Sequence, residues 1–227
     1  GVGIADGIGL VAREEGVGEE FTLTVETGPC GGATAQGIFF GASVNSRALM
    51  DMPSQFDFYD GGGLEVAFLS FAELDEKGNV NVHKFNGKIV GTGGFVNICA
   101  GSKKVVLCGT LRAGGLKTEV GNGKITISQE GRFEKMIPQC SEITFCGEQA
   151  LKQGQEVVFI TERAVFRLTP QGIVLTEVAP GVDIQKDIIS QMGFEPVISD
   201  ELKLMDERIF REEKMNIRDE FMNGVFR

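Results

Sequence analysis

Val66-Ala67-Phe68-Leu69-Ser70-Phe71 is an apolar run with no charge and no helical spacing. A half-exposed strand alternates apolar and polar residues, so a short run that stays apolar reads as a strand covered on both faces. Lys104-Val105-Val106-Leu107-Cys108 repeats the pattern. Strands of this kind belong to sheets with helices packed against them, which sets the class as α/β.

The chain downstream adds antiparallel pieces. Residues 116–120 and 124–128 flank Asn122-Gly123, the dipeptide that most strongly signals a two-residue hairpin turn. A second hairpin is expected from 164–168 and 173–178 across Pro170-Gln171-Gly172, and single strands at 142–146 and 157–161. Asp183 is a helix N-cap candidate, with Ile184, Ile188, Ile189 and Met192 on one face and Gly193 as the stop. The expectation is one α/β domain with a mixed, largely parallel sheet flanked by helices and carrying β-hairpin additions. It occupies residues 1–199, followed by a charged C-terminal tail at 200–227 in which Ile209, Phe210, Phe221 and Phe226 dock locally.

Upstream, Gly1-Val2-Gly3-Ile4-Ala5-Asp6-Gly7 reads as the exit of a strand and the start of a helix through 10–15 that Gly16 stops. A domain seldom starts there, so the chain is expected to be the C-terminal part of a longer polypeptide. Phe21-Thr22-Leu23-Thr24-Val25-Glu26 alternates like a short strand and runs into Thr27-Gly28-Pro29-Cys30-Gly31-Gly32. Residues 52–63, with Pro53, Phe56, Phe58, Tyr59 and closing glycines, read as a loop.

Composition narrows the function. A net charge of −10 argues against nucleic acid or an anionic membrane as partner, since phosphates are held by clustered Lys and Arg. No apolar run has the length of a membrane span. The five cysteines, Cys30, Cys99, Cys108, Cys140 and Cys146, are odd in number and show no CxxC spacing, which suits reduced thiols in a cytoplasmic protein. With one histidine, His83, and no paired cysteines, a zinc site is not expected.

The glycine clusters do not make a nucleotide site. Gly91-Thr92-Gly93-Gly94-Phe95-Val96 lacks the third glycine of the dinucleotide fingerprint, and no P-loop occurs. A Ser-His-Asp triad would need His83, which lies in a polar loop and reads as a surface residue. Cys30 has no cationic neighbour in sequence to hold a thiolate. Lys103-Lys104 is either a solvated strand start or a contact to an anion. Glu26 ends a strand and faces glycines whose amides can hold an oxyanion. Composition and spacing leave it open between a surface charge and a nucleophile.

Val25-Glu26-Thr27-Gly28-Pro29 resembles the Glu-x-Gly motif of the family I coenzyme A transferases. The glycine-rich opening at 1–7 is similar to the start of that family's β half. Gly91-Thr92-Gly93-Gly94-Phe95 with Lys103-Lys104-Val105-Val106, Thr161-Glu162-Arg163-Ala164-Val165-Phe166 and Ala179-Pro180-Gly181-Val182-Asp183 extend the likeness to about Asn216. The pattern looks closest to the fused enzymes acting on short-chain acyl-CoA with acetate, propionate or a 3-ketoacid.

The resemblance implies a CoA-transferase and sugar-phosphate-isomerase-like fold. It implies Glu26 as catalytic nucleophile, Gly93, Gly94 and Gly28 as oxyanion or CoA contacts, and Phe56, Phe58 and Tyr59 as candidate walls of the acyl pocket. Coenzyme A would be a substrate, with no separate cofactor and no metal. The implied partners are acyl-CoA, short-chain carboxylates, the N-terminal α half that completes the active site, and further copies in a homo-oligomer. Acyl-CoA hydrolysis on the same glutamate, and a non-catalytic ligand-binding domain on the same fold, are the competing readings. Nothing in the resemblance accounts for residues 218–227.

Overall fold

The structure, a computed structural model, describes residues 3–85 and 87–225. The main sheet has six strands: β1 (Leu64–Ser70), β2 (Ser102–Cys108), β3 (Glu156–Ile160), β4 (Ala164–Thr169), β5 (Gly172–Val178) and β6 (Val197–Leu204). They lie side by side in chain order. β1–β2, β2–β3 and β5–β6 pair parallel, and β3–β4 and β4–β5 antiparallel. The expected class, a mixed and largely parallel sheet with appended hairpins, is what forms.

Successive side chains on a strand point to opposite faces, so the register sorts the core. Leu69, Leu107, Phe159, Phe166 and Leu175 stand opposite one another across adjacent strands. All are buried and belong to one large cluster. Val158 and Val165 face the other way, into a smaller cluster with Ile125, Met205 and Phe210. Each large apolar side chain fully buried in this manner contributes about 1.5–3 kcal/mol. β2 has the two-sided burial expected of it. β1 does not: it is the edge strand, and Val66 is 37% exposed.

The helices are α1 (Ile8–Glu14), α2 (Met52–Asp60), α3 (Phe95–Gly101), α4 (Gly147–Lys152) and α5 (Arg218–Met222). Phe95 and Cys99 of α3 and Ala150 of α4 pack into the larger cluster. None of the helices among the described residues is long and apolar enough to cross a membrane.

Several expectations are corrected. Residues 52–60 form a helix rather than a loop. Asp51 caps it, its carboxylate accepting from the backbone N–H and the hydroxyl of Ser54, and Pro53 fits the first turn, where a missing N–H costs nothing. The glycines that suggested a loop only end the helix. Residues 21–26 do not form a strand; only Thr24 bridges, to Cys30. At 142–146 only Phe145 bridges, to Val80.

Asp183 does cap the segment after it, accepting from the N–H of Lys186, but the turns are wider than α-helical: a π turn at Ile184–Ile188, then a 3-10 turn at Ile189–Gln191. The guanidinium of Arg163 takes the Asp187 carbonyl at 2.9 Å, which competes with regular helical bonding there. Ile188 and Met192 are buried as the spacing required.

The charged C-terminal stretch is not a free tail. β6 crosses the division expected between 199 and 200 and pairs with β5. Phe210 is buried, whereas Ile209 is exposed. Beyond them the Glu15 carboxylate accepts from the N–H groups of Met215 and Ile217, and the ring of Phe221 lies 5.5 Å from that of Phe21. Residues 215–221 thus dock on the segment just after α1, at Glu15 and Phe21, which gives them a structural role. Gly1 and Val2 of the glycine-rich opening, and Phe226, lie outside the described residues.

Candidate active site

Glu26 sits at the tip of a tight turn. The N–H of Gly28 donates to the carbonyl of Val25 at 2.9 Å, and the N–H of Val25 donates to the carbonyl of Pro29 at 3.0 Å. Below the turn Thr24 pairs with Cys30, and Pro29 and Cys30 pair with Leu49 and Ala48 in a short antiparallel ribbon. The expected strand end is therefore a hairpin tip, a geometry that lifts the side chain clear of any ladder.

Gly28 is required by space as well as by conformation. Its φ is +120°, and a β-carbon there would stand 2.0 Å from the carbonyl oxygen of Met50. Its N–H is committed to the turn, so it holds the backbone close rather than offering a free donor.

The loop before α3 meets this turn. A β-carbon on Gly94 would lie 2.7 Å from Oε2 of Glu26 and 2.8 Å from the ring of Phe56. Gly93 has φ +53° with nothing within 4 Å of its would-be β-carbon, so space opens beside it. Among the described residues no acceptor takes the N–H of Gly93 or Gly94, and the Glu26 carboxylate has no hydrogen-bond donor and no counter-ion. A half-buried, unpaired carboxylate thus stands beside a glycine loop whose amides at Gly93 and Gly94 are free. That arrangement can attack an electrophilic carbonyl and stabilise the oxyanion it creates.

Of the three aromatic residues singled out, Phe56 is the one against Gly94. Tyr59 is 1% exposed, and its hydroxyl bonds to Thr24 and Gln55. Burial pushes its phenol above the ordinary range. Phe58 lines a cavity of about 720 Å³ with Glu26, Thr24, Tyr59, Val66 and Lys103. Lys104 pairs with Glu156 at 2.9 Å, the structural reading of that residue. Cys30 is a half-buried thiol that donates to Oε1 of Gln55 at 3.5 Å. His83 is half-buried rather than on the surface; its carbonyl accepts from Val90 and Gly91 at the entrance to the glycine loop, and its buried Nδ1 has no partner among the described residues.

Gly94 is expected beside Glu26 only through the family resemblance, and the sequence reading singles out neither Thr24 nor Gln55. The available signal is Gln55 and Tyr59 at i, i+4, one face of a helix, in a segment whose proline and glycines suggest a loop.

No family model matches the chain. It is 67% identical over 210 residues to the acetate CoA-transferase YdiF of Escherichia coli O157:H7, taking in 92% of this chain and 40% of that protein. It is 43% identical over 217 residues to the caffeate CoA-transferase of Acetobacterium woodii, over 93% of this chain and 41% of that protein. Its fold matches the crystal structure of the acyl-CoA transferase YdiF from E. coli O157:H7 as a thioester complex with CoA. The TM-score is 0.90 at 63% identity, over 95% of this chain and 41% of that one. The chain therefore spans about two fifths of the length of the curated relatives it matches.

Proposed function

The chain belongs to the family I coenzyme A transferases, and on that premise we propose that the complete enzyme carrying it moves coenzyme A between a short-chain acyl-CoA and a free carboxylate, with Glu26 as the covalent carrier. The observation that carries the reading is the unpaired Glu26 carboxylate on a turn tip, close against Gly94 in a loop whose Gly93 and Gly94 amides are free. The thioester complex with CoA formed by the similar YdiF supports it.

The chemistry balances in four steps. A carboxylate oxygen of Glu26 attacks the thioester carbonyl, the C–S bond breaks, and CoA thiolate leaves an acyl-glutamyl anhydride. The thiolate attacks the glutamyl carbonyl and expels the first carboxylate, leaving a glutamyl-CoA thioester. The incoming carboxylate attacks that thioester to give a new anhydride and thiolate. The thiolate then attacks the acyl carbonyl, which releases the new acyl-CoA and regenerates Glu26. Each addition places negative charge on a carbonyl oxygen, and a free amide at Gly93 or Gly94 is suited to receive it. A carboxylate leaves readily once acylated, so transfer runs in both directions. Binding energy from the remote part of CoA lowers the barrier at the reacting centre.

The N-terminal half of the enzyme is proposed to complete the site, and Phe56 to form the acyl wall nearest Glu26. Coenzyme A is a substrate in this scheme, and no other cofactor enters it. The test is to incubate the complete enzyme with acyl-CoA alone, digest it and weigh the peptides. The peptide bearing Glu26 should gain the mass of CoA, and Glu26→Gln should abolish both adduct and transfer. CoA release that proceeds at full rate without an added carboxylate would mark a hydrolase instead.

A further inference from the structure

A two-residue ribbon capped by a tight turn cannot hold its own orientation in water. The turn that carries Glu26 is built in this way, yet it brings Oε2 of Glu26 to 2.7 Å from where a β-carbon on Gly94 would stand. What holds it is α2. Gln55 and Tyr59, one helical turn apart and 0% and 1% exposed, reach the two residues that pair directly beneath the turn. The thiol of Cys30 donates to Oε1 of Gln55 at 3.5 Å, Nε2 of Gln55 donates to the Tyr59 hydroxyl at 2.7 Å, and that hydroxyl donates to Oγ1 of Thr24 at 2.9 Å. The Thr24–Cys30 pairing closes the ring.

We propose that this ring, Cys30–Gln55–Tyr59–Thr24, positions the Glu26 carboxylate for attack, with Thr24 and Tyr59 as positioning residues; the inference rests on Glu26 being the CoA carrier. The same helix sets the other side of the gap, because the ring of Phe56 stands against Gly94. One rigid element thus references both the nucleophile and the loop it faces. The ring makes no hydrogen bond to the carboxylate itself, so it acts through backbone placement. Every donor in it points toward Thr24, and the raised phenol of Tyr59 stays neutral and donating at working pH.

The experiment uses the complete enzyme and follows single-turnover formation of CoA-modified Glu26 by mass spectrometry. Each rate is normalised to its own final amplitude, so unfolded chains lower the amplitude and leave the rate untouched. Thr24→Val keeps the shape and loses the hydroxyl. It should slow the rate by about 10- to 100-fold, the scale of a misplaced reacting group, with the KM for acyl-CoA unchanged. Thr24→Ser should recover most of the rate. Tyr59→Phe, which removes two bonds of the ring, should slow it in the same way. Wild-type rates in both Thr24→Val and Tyr59→Phe, or a loss of amplitude alone, would overturn the positioning role while leaving Glu26 as carrier. A wild-type enzyme that never carries CoA on Glu26 would overturn both.

Discussion

Oε2 of Glu26 lies 2.7 Å from the place a β-carbon on Gly94 would take. The backbone of Gly94 is ordinary, at φ −78°, so alanine there is strained by crowding alone. Gly94→Ala should leave the fold intact and push the carboxylate off its line. The expected result is a fall in kcat of about 10- to 100-fold with little change in thermal midpoint. Wild-type turnover in a folded Gly94→Ala enzyme would show that the close approach has no part in the chemistry.

Gly28→Ala makes a contrasting case. Here both conformation and space forbid a side chain, with φ +120° and the Met50 oxygen at 2.0 Å. Stability should drop by well over 1 kcal/mol, the scale at which an incompatible backbone exceeds any entropic gain, and activity should go with it. Gly93→Ala meets no atom within 4 Å, so at φ +53° its loss should be limited to about 1–2 kcal/mol of backbone strain. Urea unfolding of the pair measures the difference, and equal midpoints would refute it.

Lys135 gives a pH dependence. It is 8% exposed, its Nζ sits 4.0 Å above the ring of Phe71, and burial lowers its pKa from 10.5 to about 8 against partial relief from Glu162. Between pH 8 and 10.5 the unfolded lysine keeps a proton that the folded one has released, so raising the pH stabilises the fold through this group. Below that window the full penalty applies, about 3 kcal/mol. The stability difference between wild type and Lys135→Met should therefore narrow from pH 8 to 10.5. A difference that stays constant across this range would count against it.

Arg163 is 0% exposed and ties separate loops together. Its guanidinium bonds to both carboxylate oxygens of Glu130, to Glu162 and to the carbonyl of Asp187. The other oxygen of Glu162 accepts from the N–H of Leu111. Arg163→Met leaves those carboxylates without their cation and should destabilise the chain by about 3 kcal/mol or more. Arg163→Lys should recover only part of this, since an ammonium lacks the planar fork. Equal stability of wild type and Arg163→Met in urea would refute the role.

The sheet strands were legible where local pattern decides structure. Residues 104–108 stay apolar because β2 is covered on both sides, and Asn122-Gly123 turns a hairpin as its chemistry requires. The same logic fails at 52–63, where Pro53 and the glycines suggest a loop although Asp51 and Pro53 form a helix start. It fails again at 21–26, where alternation suggests a strand that has no partner beyond Thr24.

By itself, the sequence determined the sheet class, the hairpin turn at Asn122-Gly123 and the identity of Glu26 as the carboxylate to watch, because each depends on residues adjacent in the chain. Only the tertiary structure decided that the turn meets Gly94, that α2 clamps Thr24 and Cys30, and that residues 215–221 dock at Glu15 and Phe21. Those contacts join residues tens to hundreds of positions apart. They follow from how the elements pack, and no local pattern of hydrophobicity or turn residues encodes a distance of that kind.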